Sequence, residues 1–420
     1  MMTSSNIHNL LLQHFESGGG AAGYLRGRIP GFSTLLSGFF ACRSDIDRIQ
    51  KAEYLSERIL SLTDFADMIP LRSEVATLEI KRMISYKKQT DHTAHTLYLY
   101  LLGVWVYDNV TEIRTALDVS INSSKPVKLF LFQWTFASLL HDVGYLFYDF
   151  DSGANAGSWK IFDDMLSIKY LSSYTEELSD NGKSELNQAW NNFITTYDLK
   201  EHASNLTSSQ LIASLDHIPW LSDLLPGHQT GLLAMELGEV LGPGLQSFAY
   251  DMANSGYDGT PVVDHGIASG LMLLKYTSIW YWLSKHSEIN YPQLNAELNA
   301  SFHYYPSILN KHVISACKAV AYHNLPNVTY SLEQDPLLYL AVLCDELQIW
   351  DRFMSGEGHI DNWRTIDHCV AEKLKAEVIM NEFSQPLLHL MTSKAHFEKL
   401  VGSLDKRVSN WRKYVQITMI

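Results

Sequence analysis

Apolar residues recur at steps of three and four positions along most of the chain, the spacing that puts them on one face of a helix. One segment shows this pattern at Phe132, Phe136, Leu139, Leu140, Val143 and Phe147. No run of alternating apolar and polar residues is long enough to predict a sheet. The pattern therefore predicts an all-α fold.

Residues that typically stand at the start of helices support the same class of fold. Asp335 stands directly before Pro336, as expected for an N-cap residue followed by proline in the first helical position. Ser123 and Ser124 precede Pro126 in a similar way. The glycine-rich segment 18–23 lacks the Gly-Lys-Ser/Thr ending of a phosphate-binding loop, so we expect a flexible connector there.

Local changes in composition divide the chain into segments. Residues 149–260 contain clusters of Ser, Asn, Asp and Gly that interrupt short helical stretches, and we expect an insertion or lid there. It lies within a more regular domain, 71–355, which follows an N-terminal helical segment, 1–70. Residues 356–420 are expected to form a C-terminal helical extension.

Composition and charge narrow the class of protein. The chain has 420 residues, of which 46% are apolar and 19% charged, as expected for a globular protein. Acidic residues outnumber basic ones by 46 to 32, giving a formal net charge of -14. Because this charge repels a polyphosphate backbone, nucleic acid is a less favoured partner.

Cysteine usage and hydropathy favour the cytoplasm. The cysteines at positions 42, 317, 344 and 369 are too sparse for a disulfide framework. The first residues lack a basic region followed by an apolar stretch, so we expect no signal peptide. The longest apolar stretches, 97–107 and 129–140, fall short of the roughly 20 residues that cross a bilayer. Both are predicted to be buried helices, and no membrane association is expected.

Certain of the 17 histidines lie in helix-like segments that also carry candidate metal ligands. These segments are 90–97 with His92 and His95, 139–145 with His141 and Asp142, 263–270 with His265, 319–324 with His323, and 343–351 with Asp345. Histidine and aspartate in such a mixture suit Mn, Fe, Zn or Mg.

The adjacent pair His141 and Asp142 is the most informative of these. Neighbouring residues on a helix project about 100° apart, so both can reach one metal beside the helix. The second carboxylate oxygen can bind another metal about 3.5–4 Å from the first. A His-Asp dipeptide alone also arises by chance, and His323 alone could instead stabilise a helix C-terminus. Asp345 lies in an apolar stretch, where a carboxylate needs a metal or basic partner.

Taken in order, His95, His141-Asp142, His265, His323 and Asp345 resemble the H…HD…H…H…D pattern of the HD-domain superfamily of metal-dependent phosphohydrolases. The contexts Leu-Leu-His-Asp-Val-Gly-Tyr, Asp-His-Gly-Ile-x-Ser-Gly and Leu-Cys-Asp-Glu-Leu-Gln are similar to the helices that carry the family's motifs. The resemblance covers the two regular blocks, 70–148 and 261–355, but not residues 1–70, the insertion or the C-terminal tail.

The resemblance implies an HD-domain helical bundle holding two divalent metal ions. His95, His141, Asp142 and Asp345 would surround one ion, with Asp142 bridging to a second ion on His265 and His323. His92 is the alternative first ligand; we prefer His95 because a small polar residue and an apolar helix follow it.

The activity implied is hydrolysis of a phosphate ester or anhydride of a nucleotide or cyclic nucleotide by a metal-activated hydroxide. Asp142 would act in catalysis, and Asp264 or Glu346, by adjacency, could transfer a proton. The alternatives are an HD-type di-iron oxygenase and a non-catalytic HD sensor that binds its ligand without turnover. A nuclease is less favoured, because basic runs interleaved with aromatic residues are missing from the sequence.

Overall fold

The computed structural model describes residues 5–42, 45–63, 65–86, 92–147, 178–198, 218–227, 265–301, 306–325, 328–348, 374–381 and 386–420. The described part is predominantly helical, which confirms the predicted all-α class. Most of the predicted insertion, 149–260, lies outside the described residues. No described helix has the length and apolar character needed to cross a membrane.

The helices in chain order are α1 (Ile7–Ser17), α2 (Gly20–Arg28), α3 (Phe32–Phe40), α4 (Asp45–Leu62), α5 (Ile69–Tyr86), α6 (His92–Asn109), α7 (Thr111–Ile121), α8 (Pro126–Leu139), α9 (Asp180–Thr196), α10 (Leu221–Leu224), α11 (His265–Asn290), α12 (Pro292–Ser301), α13 (Pro306–Ile308), α14 (Ile314–Tyr322), α15 (Pro336–Leu347) and α16 (Lys394–Arg407). Short 3-10 turns lie at Ala66–Met68, Val143–Phe147 and Trp411–Lys413, and a π-helical turn at Leu309–Val313. The strands are β1 (Ser5–Asn6), β2 (Lys375–Met380), β3 (Pro386–Thr392) and β4 (Val415–Met419).

The chain divides into two compact units, one formed by residues 1–140 and 323–420 and the other by 141–322. The first unit is organised around α6, whose side chains from Thr93 to Tyr107 are buried. It packs against α2, α4, α5, α7, α8 and α15. Gly103 allows α8 to approach, because an added Cβ would lie 2.0 Å from the ring of Trp134. The predicted buried helices at 97–107 and 129–140 are thus confirmed as parts of α6 and α8.

The second unit is built on α11, which is buried along most of its length and packs against α9, α10, α12, α14 and the 3-10 turn Val143–Phe147. At Gly270, an added Cβ would lie 2.6 Å from the carbonyl oxygen of Cys317 and 2.7 Å from the Cβ of Ala321. Gly270 therefore lets α14 cross α11 with the two backbones in close approach.

A small sheet in the first unit corrects the prediction that no sheet forms. Its strand order is β1-β2-β3-β4; β1 pairs antiparallel with β2, β2 antiparallel with β3, and β3 parallel with β4. The predicted C-terminal helical extension, 356–420, is also corrected, because its described residues, 374–381 and 386–420, form strands β2, β3 and β4 besides the helix α16. Sequence periodicity missed them because these short strands are partly buried on both faces, so apolar and polar residues do not alternate strictly.

The glycine-rich segment 18–23 was predicted to be a flexible connector, but it contains the start of a helix. Helix α2 begins inside it at Gly20, which has a positive φ of 58° that glycine adopts without strain. The carboxylate of Asp108 accepts hydrogen bonds from the backbone N–H groups of Ala21 and Ala22 at 2.8 and 2.9 Å. A side chain from α6 therefore caps this helix.

Candidate metal centre

All six residues that the resemblance assigns as metal ligands are described, and they lie at the ends of helices. His95 is in the first turn of α6, and His265 is the first residue of α11. His141 and Asp142 follow the end of α8, and His323 follows the end of α14. Asp345 is in the last turn of α15 and is half-buried, whereas the other five are buried.

In the second unit, two imidazoles converge on one carboxylate oxygen. The Nε2 atoms of His141 and His265 lie 3.3 and 3.4 Å from Oδ1 of Asp142. Ligand atoms about 2.1 Å from a common ion are about 3.0 Å apart at right angles and about 3.4 Å apart at tetrahedral angles. The spacing of these three side chains, called here the Asp142 cluster, therefore fits ligands of a divalent ion.

The residues after Asp142 hold this cluster in place. The backbone N–H of Gly144 donates to Oγ of Ser269 at 2.7 Å, and that hydroxyl donates to the carbonyl oxygen of His265 at 2.7 Å. A Cβ on Gly144 would lie only 2.1 Å from the same carbonyl oxygen. The ring of Tyr145 stacks on His265, with centroids 4.3 Å apart. The Val-Gly-Tyr sequence thus brings the His-Asp pair against the start of α11.

In the first unit, His95 faces the carboxylate of Asp345, and we call these two residues the His95 pair. Nε2 of His95 lies 2.9 Å from Oδ1 of Asp345, and Nδ1 is hydrogen-bonded to Oε1 of the fully buried Gln348. These two contacts fix the orientation of the imidazole ring, with Nδ1 towards the amide of Gln348 and Nε2 towards Asp345. An imidazole nitrogen and a carboxylate oxygen at 2.9 Å can share a proton or bind a metal ion together, so the His95 pair has the donor atoms of a cation site.

Residues of the C-terminal part stabilise the chain around His323 and Asp345. Arg407, at the end of α16, donates to the carbonyl oxygen of His323 and forms an ion pair with Glu346. The hydroxyl of Ser403 also donates to Glu346. The carboxylate of Glu346 is therefore part of a half-buried contact with α16. Its assignment as a proton-transfer group stays a prediction, as does that of Asp264, which lies outside the described residues.

The donor set fits a divalent metal. Among the described residues, the side chains that qualify as candidates to hold an ion include His95, His141, Asp142, His265 and His323. Imidazole and carboxylate ligands without thiolate suit Mn, Fe, Zn or Mg. The alternative first ligand, His92, is the first residue of α6 and is half-buried. His95 is buried and contacts Asp345, which supports His95 as the first ligand.

Sequence reasoning missed Gln348, Ser269 and Arg407 as supporting residues. Gln348 and Ser269 lie inside the quoted motifs, but no spacing rule indicates that an amide contacts a histidine 253 positions away. Arg407 lies in the tail that the resemblance does not cover.

Comparison with known proteins adds no relative: no family model, no curated protein and no solved structure matches this chain. The case for its function therefore depends on the residues themselves.

Proposed function

We propose that this protein is a metal-dependent phosphohydrolase of the HD type that acts on a small phosphorylated substrate, a nucleotide or cyclic nucleotide. The observation that carries the proposal is the convergence of His141 and His265 on Oδ1 of Asp142. These are the histidine-aspartate pair and the third-motif histidine on which the resemblance depends. The proposal adopts the ligand assignment that the resemblance implies, with two divalent ions.

A bound divalent ion supplies Lewis acidity, which lowers the pKa of a coordinated water and offsets charge on the phosphoryl oxygens. The chain's own residues orient the ligands. Gln348 contacts Nδ1 of His95 and so orients the ring with Nε2 towards Asp345, where it would serve as a ligand. Tyr145 covers one face of the His265 ring and limits the access of water from that side.

The charge of the chain supports a small substrate over a long polyanion. A formal net charge of -14 repels extended nucleic acid, whereas a nucleotide needs only the local cations of the site. Cys42, Cys317 and Cys344 are free and buried, which supports the expected cytoplasmic location.

The experiment that tests this function is a hydrolysis screen with the full chain. We would load it with Mn²⁺ and follow phosphate or nucleoside release from a panel of nucleotides and cyclic nucleotides. We expect turnover that is lost in Asp142→Asn, while circular dichroism confirms a helical fold. His389→Gln is the matched control, because His389 also pairs with a carboxylate, that of Glu377, but in the small sheet.

The other outcomes identify the alternatives. Fe(II)-dependent oxygen uptake without phosphate release would favour the di-iron oxygenase. Tight nucleotide binding by metal-loaded protein, with no hydrolysis across the panel, would favour the sensor. Either result would overturn the proposed hydrolase.

A further inference from the structure

Arg72 of α5 is buried, with 2% of its surface exposed, and its guanidinium contacts two ligand-bearing segments of the first unit. Nη1 donates to Oγ1 of Thr96 at 2.7 Å and to the carbonyl oxygen of Leu139 at 2.6 Å. Nη2 donates to the carbonyl oxygen of Thr93 at 2.7 Å. Nε lies 3.2 Å from the carboxylate of Glu53 on α4, which forms an ion pair with the guanidinium.

The partners of Arg72 lie close in sequence to two candidate ligands. Thr93 and Thr96 lie on either side of His95 in the first turn of α6. Leu139 ends α8, two residues before His141. One rigid, planar group therefore ties together the start of α6 and the end of α8.

A second charged side chain of α5 holds the same turn. Both carboxylate oxygens of Glu79 accept from the backbone N–H of Thr93, at 3.1 and 3.2 Å. Positions 72 and 79 are seven residues apart, so they share a face of α5. Arg72 binds the carbonyl of Thr93 while Glu79 binds its N–H, so the peptide groups that begin α6 are held on both sides.

We propose that Arg72 is a positioning residue for the metal centre: it fixes the first turn of α6, and with it His95, relative to the end of α8, which leads into His141. The inference rests on the proposed function. Stability alone is a poor reason for a buried arginine, because removing a charge from water is costly and buried ion pairs can often be replaced by apolar residues without loss of stability. A guanidinium that binds three backbone or hydroxyl oxygens instead fixes geometry.

The test compares Arg72→Lys with the full-length wild type by titration with Co²⁺. Lysine keeps the charge but lacks the planar fork, so it cannot bind Thr93, Thr96 and Leu139 together. We expect the Kd for Co²⁺ to rise by about 10- to 100-fold, as for other residues that orient metal ligands, with a changed visible absorption spectrum of the bound cobalt. Arg412→Lys is the control, since it makes the same exchange in the exposed ion pair with Asp405; it should bind as the wild type does.

A second measurement does not depend on metal. In the apo protein, Arg72→Lys should speed amide hydrogen exchange in the first turn of α6 more than in α9, which belongs to the other unit. Wild-type cobalt affinity in Arg72→Lys would overturn the inference and leave the proposed function intact. If the wild type takes up no cobalt, the proposed function fails, and the positioning of a metal centre by Arg72 fails with it. Equal protection of α6 in variant and wild type would refute the positioning role of Arg72 independently of metal.

Discussion

Gly144 is the position where a single methyl group tests the geometry of the Asp142 cluster. The Cβ of an alanine there would lie 2.1 Å from the carbonyl oxygen of His265 and 2.7 Å from Oγ of Ser269. Real Cβ contacts to such atoms are not shorter than about 3.0 Å, so the turn must move away from α11 by about 1 Å. That shift would lengthen the hydrogen bond from the N–H of Gly144 to Oγ of Ser269, which is 2.7 Å in the wild type. It would also lengthen the distance of 3.4 Å between Oδ1 of Asp142 and Nε2 of His265.

The expected loss of stability in Gly144→Ala is the sum of two effects. Overpacking in a dense interior costs about 1–3 kcal/mol. Loss of a buried hydrogen bond costs about 1–3 kcal/mol more. We therefore expect Gly144→Ala to lower the free energy of unfolding by about 2–6 kcal/mol. Metal affinity should fall by about 10- to 100-fold, because ligand orientation depends on the supporting contacts.

Thermal unfolding of the apo protein and titration with Mn²⁺ or Co²⁺ measure the two effects separately. Gly402→Ala is the control: Gly402 lies within α16, and an added Cβ there would meet no described atom within 4 Å beyond the adjoining residues and backbone of its own helix. That variant should gain about 0.5–1 kcal/mol of stability, because alanine favours a helix over glycine, and should bind metal normally. Wild-type metal affinity in folded Gly144→Ala would refute the claim that this close approach sets the ligand geometry.

Three further predictions concern single residues. Gln348→Leu should weaken Co²⁺ binding by about 10- to 100-fold, because the ring of His95 loses the side-chain contact that orients it; unchanged affinity would contradict that role. Glu346→Gln should lower stability by about 1–3 kcal/mol through its contact with Arg407; turnover that persists in this variant would contradict proton transfer by Glu346. Burial, and then the charge of Lys311, lower the pKa of His312 from its ordinary 6.5. The contribution of neutral His312 to stability is therefore present above pH 6.5 and is lost as the pH falls through the lowered pKa of the folded state. His312→Gln should flatten this part of the profile of stability against pH, measured by urea unfolding. An unchanged profile would contradict burial of a neutral His312.

The helices that frame the ligands could be predicted from sequence because their cause is local. Two mainly apolar stretches predicted the buried parts of α6 and α8. The cap at α15 was predicted correctly as well, since the side chain of Asp335 accepts from the backbone N–H of Leu338 at 3.1 Å. Each of these signals depends on residues within a few positions of one another.

Features that depend on distant pairs could not be predicted in the same way. Strand β1 at residue 5 pairs with β2 at residue 376, and neither strand has a pattern of its own that requires a partner. Arg72 looks in sequence like an ordinary polar position of α5, yet it is buried against Thr96 and Leu139. The motif order predicted candidate ligands, but only the folded chain could bring His95 to Asp345, 250 positions away.

The metal content of the purified protein tests the central claim most directly. Elemental analysis after reconstitution with Mn²⁺ and removal of free ions should give about two ions per wild-type chain. His141→Ala and Asp142→Ala should lose most of this metal while circular dichroism stays helical. Normal metal content in both variants, or none in the wild type, would contradict the account.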